Sequence, residues 1–333
     1  MNISILGAGA WGTALAISLA KQHRITLWAR NHQQVEEMRS KGTNTRYFPD
    51  FPLPRELVLE HDLASAIATA EIIIVAVPIS ALRGTLREIA RASTPVPVIW
   101  LCKGFESETA LLAHQIVAEI LPPEFPCGVL SGPSFAQEVA RNLPTALVLA
   151  SDDGDFARLA AQYLHNPRLR IYTSTDVVGV EVGGAVKNVL AIAAGISDGM
   201  GFGYNTRAAL LTRGLFEMTR LGIRLGGRAE TLGGLSGVGD LILTCTGDLS
   251  RNRNVGLLLA QKLALPEILQ KLGHVAEGVY TAQAVHQLIG RLGVEMPICE
   301  AVYRILYEKV DASSAVEELL SRVPVTEFPV SQA

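Results

Sequence analysis

Lys187 is the one cation in an apolar, glycine-rich run, VGGAVKNVLAIAAGISDGMG, that covers residues 182–201. If the run is helical, Gly183 and Gly184 lie one turn behind it and Leu190 and Ala191 one turn ahead, so no carboxylate reaches it at i±3 or i±4. A lysine without a local counter-ion in an apolar helix loses solvation, its pKa falls, and it can give and take a proton near neutral pH. On a surface helix the same residue would only lay its stem along apolar neighbours and keep its charge in water. Two further stretches are more polar than a helical scaffold needs. In GGLSGVGDLILTCT, residues 233–246, Asp240 stands alone among apolar residues; it either caps a helix starting at Leu241 or serves a site. In SRNRN, residues 250–254, arginines alternate with asparagines where a helix begins. Guanidinium forks and free helix N–H groups suit a phosphate dianion, and a solvated basic loop is the plain alternative.

The elements that must position these groups begin with an apolar strand, Asn2–Leu6, that runs straight into Gly7, Ala8, Gly9, Ala10, Trp11 and Gly12, followed by helical periodicity over residues 13–21. This is G-x-G-x-x-G in its required setting of strand, turn and helix. Gly7 permits the tight turn, Gly9 lets backbone approach a pyrophosphate, and Gly12 lets the helix pack on the strand. Dinucleotide binding is expected. A second strand, Arg24–Trp28, ends in Ala29, Arg30, Asn31 and His32, where an acid would grip an adenosine ribose about 20 residues after the fingerprint. No acid is there; Arg30 offers a cation to a 2′-phosphate, which favours NADPH/NADP, or use of both that and NADH/NAD, unless Arg30 is an ordinary exposed arginine.

After a loop with Pro49, Pro52 and Pro54, strands are expected at 57–59, 72–77, 98–101, 127–130, 146–149 and 169–172, with helices between most of them. Such alternation predicts a mostly parallel, Rossmann-like doubly wound α/β sheet with ligands beyond the carboxyl ends of the strands. The unusual residues fall at those ends: Pro78, then Lys103 and Gly104, then Ser131, Gly132, Pro133 and Ser134. From Glu181 onward the strand signal disappears. Helices are expected at 185–196, 206–225, 254–262, 267–271, 281–292, Pro297–Tyr307 and 312–322, with Pro297 in a first turn, Asp311 as a cap and Gly293 as a stop. The expected division is a nucleotide-binding domain over residues 1–180 and an all-helical C-terminal, substrate-binding domain over 181–333.

The chain's 333 residues fit two domains. With 49% hydrophobic and 18% charged residues it is a folded protein, and a net charge of −3 advertises no nucleic-acid surface. Glu71, and Lys187 with Asn188, interrupt the longest apolar runs, so no membrane span is expected. The N-terminus carries no basic leader, and a cytoplasmic location is expected. Cys102, Cys127, Cys245 and Cys299 are too far apart in sequence for a paired zinc or redox motif and are expected to be buried thiols, with no metal implied.

Taken in order, GAGAWGTALA, VAVP, CKG, SGPSFA, VGGAVKN, SDGMGFG, NTRAAL, GVGDL, TCT, SRN and the pair Glu277 and Gly278 resemble the NAD(P)-dependent sn-glycerol-3-phosphate dehydrogenase family of bacterial type. The resemblance covers roughly residues 2–310. It implies reversible interconversion of dihydroxyacetone phosphate, a small phosphorylated substrate, and sn-glycerol 3-phosphate, a supply for phospholipid synthesis, and a homodimer. It implies Lys187 as the catalytic lysine, and Lys103, Gly132, Ser134, Asp240, Ser250, Arg251 and Asn252 as substrate contacts. Cofactor contacts are implied at Ala10, Trp11, Arg30, Lys103, Ala136, Arg251, Val275 and Glu277. A hydroxyacid dehydrogenase of similar architecture, and a non-catalytic NADPH-binding sensor, are the alternatives; the SRN, CKG and SGPSFA turns count against the first, and Lys187, Asp240 and Arg251 against the second.

Overall fold

A computed structural model describes residues 1–92, 95–273 and 276–323. Its first half alternates strand and helix. The chain runs through β1 (Asn2–Leu6), α1 (Ala10–Leu19), β2 (Arg24–Trp28), α2 (His32–Lys41), a small ribbon of β3 (Thr43–Asn44) and β4 (Phe48–Pro52), β5 (Val58–Glu60) and α3 (Leu63–Ile67). It continues through β6 (Ile72–Val75), α4 (Ile79–Ala92), β7 (Val98–Trp100), α5 (Ala113–Ile120), β8 (Cys127–Ser131), α6 (Ala136–Ala140), β9 (Thr145–Ala150), α7 (Gly154–Leu164) and β10 (Leu169–Ser174). All of β6, IIIV, is buried, as a central strand covered by helices on both faces must be. The β3–β4 ribbon lies in the proline-bearing segment expected as loop, and a two-stranded ribbon consists only of edges, where proline is tolerated.

The sheet has eight strands in the order β10-β9-β8-β7-β6-β1-β2-β5. Strands β8, β7, β6, β1, β2 and β5 are mutually parallel, and the order turns back at β1 with β2 on one side and β6 on the other, which opens a crevice beyond their carboxyl ends. Strand β9 runs against β8, and β10 follows β9. The chain therefore leaves β10 away from the edge that carries Lys103 and Gly132, and the next helix returns to that edge, where Gly184 lies against Ser131 and Lys103.

That helix, α8 (Val177–Gly199), is the axis of the second half. Around it are α9 (Tyr204–Arg224), α10 (Ala229–Leu232), a π-helical turn (Leu235–Gly239), α11 (Asp240–Thr246), α12 (Arg251–Ala260), α13 (Leu265–Leu272), α14 (Glu277–Leu292), α15 (Pro297–Tyr307) and α16 (Ala312–Leu320). Helix α8 starts eight residues before the expected 185 because its glycines serve contact rather than breakage. A Cβ on Gly183 would stand 2.4 Å from the Ser236 carbonyl oxygen, and one on Gly195 2.0 Å from that of Arg253. Small residues let neighbouring backbones reach the helix, and the packing gained outweighs the roughly 1 kcal/mol that a mid-helix glycine costs. By length and composition α8 could cross a bilayer, but 89% of its most apolar window is buried inside the protein, so its burial, more than the interruption at Lys187 and Asn188, marks it as a core helix.

Pro297 sits in the first turn of α15, Asp311 caps α16 by accepting from the Ser313 amide, and Gly293 closes α14 in the left-handed conformation, as expected. One apolar core fills the helical half and two more lie on the faces of the sheet. Of the cysteines, Cys102, Cys245 and Cys299 are buried and Cys127 half-buried, all unpaired; burial pushes the Cys127 and Cys245 thiols up to about 12.

Candidate active site

Lys187 and Asp240 are 6% and 1% exposed and form an ion pair. The Asp240 carboxylate also accepts from Lys103 Nζ at 2.6 Å, so one buried anion joins a lysine of the loop after β7 to a lysine of α8. Lys103 Nζ donates further to the Gly132 carbonyl, 3.3 Å away, in the turn after β8. Gly132 has φ +133°, a conformation open to glycine and strained for other residues, and its carbonyl takes the Ser134 hydroxyl at 3.0 Å as well. Two strand-end loops and two helices thus converge on one carboxylate.

Asp240 does not cap a helix at Leu241. It is itself the first residue of α11, preceded by Gly239, and its side chain turns to the lysines. The π-helical turn before it is drawn tight by Gly237, where a Cβ would fall 1.9 Å from the Leu232 carbonyl oxygen. Burial is the largest influence on both partners. It drives the Lys187 ammonium down to about 7, against the attraction of Asp240 and with the help of Lys103. For Asp240 burial acts upward, but the two ammonium groups prevail and hold the carboxyl below its ordinary range.

Thr244 was not singled out in the sequence, although it lies one helical turn after Asp240 on the same face of α11. Its hydroxyl donates to the Asp240 carbonyl at 2.6 Å and accepts from Lys187 Nζ at 3.1 Å. Asn188, beside Lys187, accepts from Asn252 Nδ2 at 3.0 Å, while Asn252 Oδ1 takes the Gly278 amide at 3.0 Å. Asn252 therefore ties the start of α12 to the lysine helix and to the first turn of α14, where Glu277 sits. Burial raises the Glu277 pKa, and the charges of Arg251, Lys103 and Lys187 oppose the rise, which places Glu277 within electrostatic reach of all three cations.

Helix α12 begins at Arg251, three residues before the expected start, because the Ser250 hydroxyl caps it by accepting from the Arg253 amide at 3.2 Å. Arg251 is exposed, whereas Arg253 is bound to Asp198 and Asp248. Of the two arginines in SRNRN, only Arg251 has its fork available to a phosphate among the contacts described.

The residues around the N-terminal turn fit a dinucleotide. Gly7 has φ +125°, and a Cβ there would meet the Ala76 carbonyl oxygen at 2.5 Å; one on Gly12 would meet that of Gly7 at 2.0 Å. At Gly9 nothing lies within 4 Å of the same position, so backbone faces open space at the start of α1. No side chain caps that helix, and its first amides, at Ala10, Trp11 and Gly12, remain to bind an anion. Arg30 is exposed just past β2, and Ala136 opens α6, which packs on α1. Val275 lies outside the described residues. A cavity of about 880 Å³ between α8, α9, α15 and α16 contains none of these residues.

Comparisons with known proteins show the family to which the chain belongs. The family description "NAD-dependent glycerol-3-phosphate dehydrogenase N-terminus" matches residues 2–157, and its C-terminus counterpart matches 176–317. The glycerol-3-phosphate dehydrogenase [NAD(P)+] of Nitrosospira multiformis is 60% identical over 98% of this chain and 100% of its own length. That of Dechloromonas aromatica is 55% identical over 98% and 100%. The crystal structure of glycerol-3-phosphate dehydrogenase from Coxiella burnetii superposes with a TM-score of 0.93 at 44% identity, covering 96% of this chain and 99% of its own. A ketopantoate reductase from Ralstonia eutropha shares the fold alone, at 16% identity and a TM-score of 0.59, over 95% of this chain and 100% of its own.

Proposed function

Because the chain belongs to the NAD-dependent glycerol-3-phosphate dehydrogenase family, we propose that it interconverts dihydroxyacetone phosphate and sn-glycerol 3-phosphate with NADPH or NADH, and that Lys187 is its general acid and base. The observation that carries the reading is the buried carboxylate of Asp240 held between Lys187 and Lys103. The nicotinamide, when bound, supplies or accepts the hydride. The turn from Gly7 to Gly12 would hold the pyrophosphate on the amides of α1, Arg30 the adenosine ribose and any 2′-phosphate, and Ala136, Lys103, Arg251, Val275 and Glu277 the remainder.

In the direction of reduction, negative charge develops on the carbonyl oxygen, and Lys187 delivers its proton to that atom. A pKa near 7 leaves the ammonium acidic enough to donate and the amine basic enough to recover the proton in oxidation. Lys103 polarises the same oxygen by its charge, and Asp240 keeps both amines oriented. Arg251, with Asn252, would hold the phosphate at the helix start that Ser250 caps. This group is remote from the chemistry, so its binding energy serves positioning. Gly132 and Ser134 would border the substrate on the sheet side. The wider reading is of a cytoplasmic homodimer that supplies glycerol 3-phosphate for phospholipids; its oligomeric part is checked by sedimentation.

The direct test is a spectrophotometric assay of NADPH oxidation with dihydroxyacetone phosphate, run on the wild type and on Lys187→Ala. Turnover by the wild type and a loss of at least about 10²-fold in kcat in the variant, with NADPH still bound, are expected. No turnover by the wild type, or a near-normal kcat in the variant, would refute the assignment.

A further inference from the structure

Lys187 and Lys103 belong to different elements, and the structure joins those elements a second time. Trp100 ends β7, three residues before Lys103, and Glu181 lies six residues before Lys187 on α8. The Trp100 indole Nε1 donates to Glu181 Oε1 at 2.7 Å. The same oxygen takes the His114 amide at 2.9 Å, and Glu181 Oε2 takes His114 Nδ1 at 2.6 Å. Glu181 is 6% exposed and Trp100 2%, so the indole bond is made away from water, while His114 is half-buried. A carboxylate there requires its donors, and the donors require it. The segment 100–103 and the stretch of α8 from 181 to 187 thus meet at two levels, about 9 Å apart along the helix at 1.5 Å per residue. Glu181 makes one connection and Asp240 the other. Between them, Gly184 brings α8 against the Lys103 side chain, where a Cβ would lie 3.4 Å from Lys103 Cγ.

We propose that Glu181 is a positioning residue for the reaction: through Trp100 and His114 it fixes the tilt and register of α8 on the sheet, and so the placement of Lys187 relative to Lys103 and Asp240. The inference rests on the reading of Lys187 as the proton donor. Proton transfer requires a heavy-atom approach within about 2.6–3.2 Å, and a displacement of about 1 Å costs on the order of 10²-fold. Glu181 touches none of the reacting groups itself; its effect is geometric and passes along the helix.

The experiment compares Glu181→Ala, Trp100→Phe and the double variant with the wild type, at equal concentrations of folded protein shown by circular dichroism. For Glu181→Ala, kcat for ketone reduction should fall by roughly 10- to 100-fold while the dissociation constant for NADPH stays within about twofold. The pH at which reduction halves should also move, because it reports the charges facing Lys187, namely Asp240, Lys103 and Glu277. Trp100→Phe keeps the ring and deletes one donor, so a smaller loss of about 3- to 10-fold is expected. It should cost nothing more when added to Glu181→Ala, since the indole acts through that carboxylate. If Glu181→Ala does not fold, Trp100→Phe decides by the same measurements. Wild-type kcat and an unmoved pH profile in the folded variants would overturn the inference, as would parallel losses of kcat and NADPH affinity or fully additive losses in the double variant. A Lys187→Ala enzyme with normal kcat would instead overturn the reading beneath it, whatever the Glu181 variants do.

Discussion

At the scale of single residues, the role proposed for Lys187 makes its charge decide direction as well as rate. Its pKa is lowered to about 7, with burial the largest cause. Ketone reduction needs the ammonium, so with saturating coenzyme kcat for reduction is highest below pH 7 and falls as pH rises through about 7. Alcohol oxidation needs the free amine and rises through the same range. Asp240→Asn removes the anion that favours the ammonium, so both profiles should shift to lower pH; unmoved profiles, or a shift upward, would mean that Asp240 does not hold the titrating group charged. Arg251→Ala should impair turnover of dihydroxyacetone phosphate by at least about tenfold more than turnover of unphosphorylated dihydroxyacetone, as expected for the loss of a charged hydrogen bond. Equal losses on both substrates would assign the guanidinium to the cofactor alone.

At the scale of elements, α8 is held by contacts that leave no room. Gly183→Ala places a methyl 2.4 Å from a backbone oxygen of the π-helical turn that leads to Asp240. Overpacking of this kind costs roughly 1–3 kcal/mol, so Tm and kcat should fall together, whereas alanine at Gly201, which has no neighbour within 4 Å but φ +78°, tests backbone strain without crowding. Glu217 of α9 accepts the amides of Ile298 and Cys299 at 2.7 and 3.1 Å and so caps α15 from another helix. Burial raises its carboxyl to about 6. A raised carboxyl contributes stability that is complete below the unfolded value of about 4.5 and lost as pH rises through about 6. The difference in Tm between wild type and Glu217→Gln should therefore become less favourable to the wild type from pH 4.5 to pH 7; a constant difference would contradict the assignment.

Much of this arrangement was legible in the residues. The glycine fingerprint, the apolar strands and the end signals at Pro297, Asp311 and Gly293 are local, and local chemistry reads directly from sequence. The isolation of Lys187 was legible too, but its partner was not, because Asp240 lies 53 residues further on and only the π-helical turn brings it there. The helix was expected only from 185; the role of Gly183 and Gly184 in close packing depends on what faces them, the Ser236 carbonyl and the Ser131 and Lys103 side chains, and no window of α8 contains that. Thr244 and Glu181 escaped notice for the same reason, as each is an ordinary helical residue until its partner is in place.

At the scale of the whole molecule, the two halves divide the work: the sheet presents the glycine turn, and the helices present Lys187, Asp240 and Arg251. On the proposed reading, cofactor preference belongs to the sheet. Arg30→Ala should weaken NADPH much more than NADH in equilibrium titrations, and equal losses would remove Arg30 from ribose recognition. The Lys103–Asp240 bond has a different consequence. It is a cross-link between the halves, and one of the site's own cations is its donor. Under the proposed mechanism catalysis is thereby conditional on docking: in rising denaturant, any separation of sheet from helices takes Lys103 from Asp240 and parts the two lysines assigned to the ketone, while Asp240 keeps Lys187. Turnover should then disappear while the far-ultraviolet signal of both halves is still intact, which makes enzymatic activity the most sensitive reporter of the interface.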